Sequence, residues 1–305
     1  MVSRWRSLHA FLPRPQLGDA PILAVDELFR ASGEDAANWF FIRYGEGGPH
    51  IRVRLADAPP ALFEQVRSRL SEECAALAES DPDRSWWEAG TIPDAQGRVF
   101  EAGQVVEIDY VPETRRYGGE QALALNERLF RTSTAVALAA IKATRDDKAG
   151  RARIAVALTI AAASIVSESY EDLGAFFDDY AKFWDAVRSV AGFDLRQGVL
   201  GEAETLRARY RAHREAMVRD APPATLVEIW RDALMKARGG FEDLHSRGLL
   251  VSPLTGRSAT SRDDFLGALD SMTRSQIHML NNRLGFSPVE EAAWTEGLAR
   301  LVGTP

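Results

Sequence analysis

In HIRVRL, residues 50 to 55, Ile51, Val53 and Leu55 alternate with His50, Arg52 and Arg54. A period of two predicts a strand with one apolar face and one cationic face. SLHAFL and WFFIRY are short, aromatic or aliphatic, and bounded by Pro, Gly and Asp, which predicts two more strands. GEGG, residues 45 to 48, separates WFFIRY from HIRVRL and predicts a hairpin with a loop longer than the tightest kind. PPALFEQVRSRLSEECAALAES sets Leu62, Val66, Leu70 and Cys74 at helical spacing, behind Pro59 and Pro60 as a helix start. RVFEAGQVVEIDYVPE predicts two further strands, with Val105, Glu107 and Asp109 opposing Val106, Ile108 and Tyr110. On this pattern the first third is mostly β.

From residue 120 the period changes to that of helices. The segments are EQALALNERLFRTSTAVALAAIKA, RARIAVALTIAAASIVSE, YEDLGAFFDDYAKFWDAVRSV, AETLRARYRAHREAMVRD, TLVEIWRDALMKARGGFEDLHSRGLL and SRDDFLGALDSMTRSQIHMLNNRLG. The last opens on Ser261 and Asp264, a capping-box pair, and closes at Gly285 with Pro288 beyond. The expected fold class is therefore α+β: a β-rich part, 1–119, packed with a larger helical part, 120–305, as a single domain over 1–305. Helix is expected at roughly 40 to 50% against a usual third. No internal repeat, low-complexity tract or flexible linker stands out, and PDAQGR, residues 93 to 98, reads as a loop tip.

Composition narrows the class. The chain has 305 residues, 46% hydrophobic and 27% charged, enough for a large packed core. The net charge of −7 carries no overall nucleic-acid signature, so an anion site must be a local cluster. A single cysteine, Cys74, excludes an intrachain disulfide and a multi-cysteine zinc site. The apolar run IAVALTIAAASIV falls short of the roughly 20 residues a membrane span needs and reads as a buried helix. The N-terminus lacks a signal peptide's apolar run. A soluble, cytoplasmic protein with no membrane partner is the expectation.

The phosphate loop, H-E-x-x-H and G-x-S-x-G patterns are all missing, and no metal-ligand cluster is evident. Three other constellations remain. His50, Arg52 and Arg54 sit about 7 Å apart on alternate strand positions. They form either a solvated polar face or a cationic platform able to clamp carboxylates bidentately. DYVPETRRYGG, residues 109 to 119, combines a stiff Pro112 turn with Gly118 and Gly119 for close backbone approach, and Glu113 can orient Arg115 or Arg116. It is either a charged connector or part of an anion site. In SQIHMLNNRL, Ile277, Leu280 and Leu284 form an apolar stripe, while His278 shares a face with Asn281 and Asn282. His278 is either a core-edge histidine or a general acid–base. His245 and Ser246 end a helix without a third member of a nucleophilic set.

Taken together, FFIRYGEGGPHIRVRL, YVPETRRYGG and SQIHMLNNRLG resemble the N-terminal, middle and C-terminal motifs of the thiopeptide-type bacteriocin biosynthesis family. That family is similar to the C-terminal elimination domain of class I lanthipeptide dehydratases, whose fold it implies. The resemblance covers residue 5 to about residue 300 and implies one of two activities, neither with an external cofactor or metal. One is elimination of glutamate from glutamylated serine or threonine in a precursor peptide. The other is pyridine formation by a formal [4+2] aza-cycloaddition of two dehydroalanines, closing a macrocycle with loss of water and leader peptide. In the elimination branch, arginines matching Arg52, Arg54 and Arg116 would hold the glutamate carboxylates, and a base matching His278 would take the Cα proton. Substrate contacts would fall to His50, Glu113, Tyr117, Gln276, Asn281 and Asn282. Eliminating members continue past the double glycine with a methionine, a histidine and an aspartate where Leu123, Asn126 and Thr132 stand here. That departure, with the stand-alone format, points to the pyridine synthase branch. A non-catalytic peptide-binding protein, capturing the leader by strand addition, is a further alternative. The resemblance implies a precursor-peptide partner in an extended groove, no nucleic acid, and room for a homodimer.

Overall fold

The structure, a computed structural model, describes residues 5–33, 38–81, 91–184, 202–218 and 225–303. It is α+β, with helix in about 64% of the described residues, above the share expected from sequence. The chain divides into two compact units, Met1–Pro112 and Glu113–Pro305.

The first unit is built on an antiparallel sheet of β1 (Trp5–Phe11), β2 (Trp39–Tyr44), β3 (His50–Ala56) and β4 (Val105–Glu107), in the order β2-β3-β1-β4. The hairpin joins β2 to β3, and Gly47 and Gly48 take φ of 78° and 119°, which an L side chain adopts only with strain. Register pairs His50 with Tyr44 and Phe11, Arg52 with Ile42 and His9, and Arg54 with Phe40 and Ser7. These residues therefore share one face. Leu8, Ala10, Trp39, Phe41, Ile51, Val53 and Leu55 share the other and are buried. Helices α1 (Asp19–Ser32) and α2 (Pro60–Ser80) pack on each other and contribute buried Ile22, Val25, Phe29, Leu62, Phe63, Val66, Leu70 and Cys74. Phe29 stacks on Trp39 at 5.4 Å.

Two expectations need correcting here. Helix α1 lies where no element was expected; Ile22, Val25 and Phe29 at helical spacing, ended by a left-handed Gly33, form it. The segment 98–113 forms one three-residue strand rather than two, because Gly103 turns the backbone at φ 91°. Its upstream half crosses the hairpin loop instead, with Phe100 N–H donating to the Gly47 carbonyl and the Phe100 ring stacked on Phe11 at 4.5 Å.

The second unit is helical among its described residues: α3 (Glu120–Ala143), α4 (Lys148–Ser164), α5 (Tyr170–Phe183), α6 (Ala203–Val218), α7 (Leu226–Ser246), α8 (Arg262–Arg283) and α9 (Pro288–Gly303). The expected helical stretches over 185–190 and 219–220 lie outside the described residues. Capping boxes start α5, α7 and α8, at Ser169 with Asp172, Thr225 with Glu228, and Ser261 with Asp264. Each such cap contributes about 1 kcal/mol. The apolar run forms the body of α4, buried from Leu158 to Ser164, and no described helix is long and apolar enough to cross a membrane. Helix α9 was not expected from sequence, although Ser287 and Glu290 exchange hydrogen bonds at its start in the same capping pattern.

Candidate functional site

In the first unit, the face carrying His50, Arg52 and Arg54 is half closed rather than fully solvated. His50 is 2% exposed and its Nδ1–H donates to the Gly48 carbonyl at 2.8 Å. That leaves Nε2 as an acceptor, and Arg52 Nε donates to it at 3.0 Å. The Arg52 guanidinium lies 3.5 Å over the Tyr44 ring, and that of Arg54 4.4 Å over Tyr110. His9 stacks on His50 at 5.0 Å. Burial, then the neighbouring His50, Arg52 and Arg54, push the His9 pKa down to about 2. Burial also lowers His50, to about 4, against the opposing pull of the Gly48 carbonyl. Two neutral imidazoles therefore back two half-buried guanidiniums, an arrangement whose charge is cationic at any pH near neutrality.

In the second unit, the double glycine shapes the connector into α3. Gly118 and Gly119 have φ of 85° and 94°, and a Cβ on Gly118 would meet Met272 Sδ at 2.8 Å. The chain thus passes directly against α8. Arg116, just before it, donates through Nε to Ser275 Oγ at 3.2 Å and pairs with Glu113 at 3.2 Å. Arg115 instead donates to the Pro253 and Leu254 carbonyls. Ser275 precedes His278 by three residues, so Arg116 is fastened to the helix face that presents His278.

His278 Nδ1 lies 2.9 Å from Glu291 Oε2, with the carboxylate 1% exposed and the imidazole 20%. The other Glu291 oxygen accepts from the Tyr180 hydroxyl, and the Trp184 ring lies 5.1 Å from the His278 ring. Burial, then the Glu291 charge, push the Tyr180 phenol well above its ordinary pKa. Among the described residues, no cluster of His, Cys, Asp and Glu is suited to a metal.

The other expected residues lie behind this surface. Gln276 Nε2 donates to Asn126 Oδ1 at 2.7 Å, and Asn126 Nδ2 donates to the Tyr117 and Ala122 carbonyls. Tyr117 is 3% exposed and meets Phe130 edge-on at 4.8 Å. Both amide atoms of the buried Asn281 lack a hydrogen-bond partner among the described residues, and Asn282 is half-buried. The apolar stripe of Ile277, Leu280 and Leu284 is buried as expected. His245 Nδ1 faces the Ala259 carbonyl while Ser246 Oγ donates to that of Asp243, so the two do not engage each other. Cys74, with its pKa pushed up to about 12 by burial and Glu73, is a core thiol.

Sequence reasoning missed Glu291, Tyr180, Ser275 and Trp184. The one signal for Glu291 was the Ser287–Glu290 cap, which sets it on a helix beside the apolar run Ala292-Ala293-Trp294.

Comparison with known proteins agrees with this architecture. Among solved structures, TsrL superposes with a TM-score of 0.63 at 18% identity, covering 98% of this chain and 94% of that one. The pyridine synthase TbtD from thiomuracin biosynthesis superposes at 0.56 and 17% identity, covering 99% of this chain and 100% of that one. The tRNA dependent lantibiotic dehydratase MibB from Microbispora sp. 107891 superposes at 0.53 and 18% identity over 98% of this chain, which spans only 28% of MibB. A search of curated proteins finds no significant match. At these identities the likeness is one of fold. The family model described as Lantibiotic biosynthesis dehydratase C-term matches residues 5–302, and the chain belongs to that family.

Proposed function

We propose that this protein is a pyridine synthase acting on a ribosomally made precursor peptide. It joins two dehydroalanines in a formal [4+2] aza-cycloaddition that closes a macrocycle, with loss of water and leader peptide. The observation that carries this reading is Asn126. It stands where the eliminating pattern has a histidine, is fully buried, and spends its amide on Gln276 and two backbone carbonyls. The histidine of the eliminating pattern is thus replaced by an amide committed to internal hydrogen bonds.

The remaining half-exposed imidazole, His278, suits a reaction that needs one proton shuttle. Its Nε2 takes the proton from a substrate amide nitrogen as that amide becomes its iminol tautomer. It returns that proton to the amide oxygen, which completes the iminol; after ring closure it takes a proton from the ring carbon beside the hydroxyl-bearing one and gives it to the hydroxyl, which departs as water. Arg116, fastened beside it through Ser275, stabilises charge on the amide oxygen as it becomes that hydroxyl. Arg52 and Arg54 anchor substrate amides, with His50 and Tyr44 holding the Arg52 guanidinium in place. The fold it shares with TbtD supports the reading.

The retained Arg52, Arg54, Arg116 and His278 favour glutamate elimination as the second reading. Mass spectrometry separates the two. A precursor bearing two dehydroalanines should yield free leader and a dehydrated macrocycle. Loss of glutamate from a glutamylated peptide, with the bis-dehydroalanine peptide unchanged, would establish elimination instead.

A further inference from the structure

Glu291 is a carboxylate 1% exposed, and burying such a group costs several kcal/mol unless both oxygens are paired. Here both are. Oε2 faces His278 Nδ1 at 2.9 Å and Oε1 accepts from Tyr180. Tyr180 is itself 1% exposed, and its oxygen also lies 3.2 Å from the Arg274 carbonyl. A phenol whose ionisation is suppressed can serve Glu291 only as a donor, so that oxygen is occupied. The other oxygen must then receive its hydrogen from the imidazole. Three helices supply this set: α5 gives Tyr180, α8 gives His278 and α9 gives Glu291.

We propose that Glu291 and Tyr180 are positioning residues that hold the His278 imidazole in its Nδ1–H tautomer, so that Nε2 carries the free lone pair. This rests on reading His278 as the proton-transfer group of the reaction proposed above. When Nε2 takes a proton, the imidazole becomes a cation, and the Glu291 carboxylate at 2.9 Å offsets that charge. Tyr180 keeps the carboxylate from turning away from the ring. The Trp184 ring, 5.1 Å from the imidazole, limits its rotation from the side.

Nitrogen-detected NMR of imidazole-labelled protein, taken on the alkaline side of the ordinary imidazole range, reads the tautomer without any turnover. Wild type should show the proton on Nδ1. In Glu291→Gln, Tyr180 donates to the amide oxygen, which lies nearer to it than the Arg274 carbonyl at 3.2 Å, and this turns the amide NH2 toward Nδ1. Nδ1 must then accept, so the proton moves to Nε2, and kcat should fall about 10²- to 10⁴-fold with KM changing less. Adding Tyr180→Phe to that variant frees the amide to turn its oxygen to the ring and should bring the Nδ1–H signal back. Tyr180→Phe alone should keep Nδ1–H. A wild-type imidazole protonated on Nε2, or a tautomer unchanged by Glu291→Gln, would overturn the proposal, and the wild-type spectrum decides even if a variant fails to fold. A protein inert toward the bis-dehydroalanine peptide but protonated on Nδ1 would refute the proposed reaction and leave this arrangement standing.

Discussion

Gln276 and Asn126 meet side chain to side chain at 2.7 Å, and through Asn126 the α8 helix is tied to the carbonyls of Tyr117 and Ala122. Two buried amides bound in this way act as one unit. Truncating Gln276 leaves Asn126 Oδ1 without its donor, and truncating Asn126 leaves Gln276 Nε2 without its acceptor, each at a cost of about 1–3 kcal/mol. The double variant Asn126→Ala/Gln276→Ala should cost clearly less than the sum of the singles, since the second truncation has no partner left to orphan. Urea unfolding of the three variants measures this; additive losses would show that the bond contributes nothing as a pair.

Acid should loosen the protein through its buried histidines. Burial holds His50 down to about 4 and His9 to about 2, and the half-buried His213 to about 4. The folded state keeps these rings neutral while an unfolded chain protonates them near 6.5. The unfolded state thus binds more protons below that value. Stability is full above about pH 6.5 and is lost as pH falls from there toward 4, by about 3 kcal/mol for His50 alone. Melting temperature against pH should fall across that window, and His50→Asn should flatten the slope. A melting temperature constant from pH 7 to 4.5 would contradict the assignment.

Gly118 should tolerate no side chain. Its φ of 85° strains any L residue, and a Cβ would press on Met272 Sδ at 2.8 Å and Ala122 Cβ at 2.9 Å. Gly118→Ala should cost upwards of about 1 kcal/mol. It should also slow turnover more than Gly248→Ala, because the displaced connector carries Arg116; Gly248 has a similar φ of 68° but nothing within 4 Å. Calorimetry paired with a rate assay separates the two effects.

The platform on β3 should be chemical rather than structural. Arg52→Ala removes a hydrogen bond to His50 and a stacking contact with Tyr44, each worth about 1 kcal/mol at a half-exposed site. As an anchor for substrate amides its loss should instead lower kcat/KM for the peptide about 10- to 100-fold, with leader affinity nearly intact. Wild-type kcat/KM in this variant would make Arg52 a bystander.

Much of this was legible in the chain. The period-two alternation placed His50, Arg52 and Arg54 on one sheet face because one slip of register would have put the guanidiniums in the core. The Ser261–Asp264 cap and the Ile277, Leu280 and Leu284 stripe fixed both the start and the rotation of α8, and hence the outward side of His278. Helices α1 and α9 were hidden for different reasons. α1 sits amid strand-like segments, so its short periodic core competed with their β reading. α9 follows so closely on Gly285 that its own cap passed for the end of α8. Glu291 and Tyr180 were out of reach in principle. Their relation to His278 joins residues 13 and 98 positions away, through packing that no local period encodes.

The most direct measurement is a time course by mass spectrometry of a leader-bearing precursor with two dehydroalanines, run with wild type and with His278→Ala. Wild type should convert it to free leader and a macrocycle lighter by one water. His278→Ala should do so about 10²- to 10⁴-fold more slowly when assayed below its melting temperature, which the unpaired Glu291 oxygen should lower. A wild-type protein that leaves this peptide intact yet strips glutamate from a glutamylated one, or a His278→Ala variant as fast as wild type, would contradict the account.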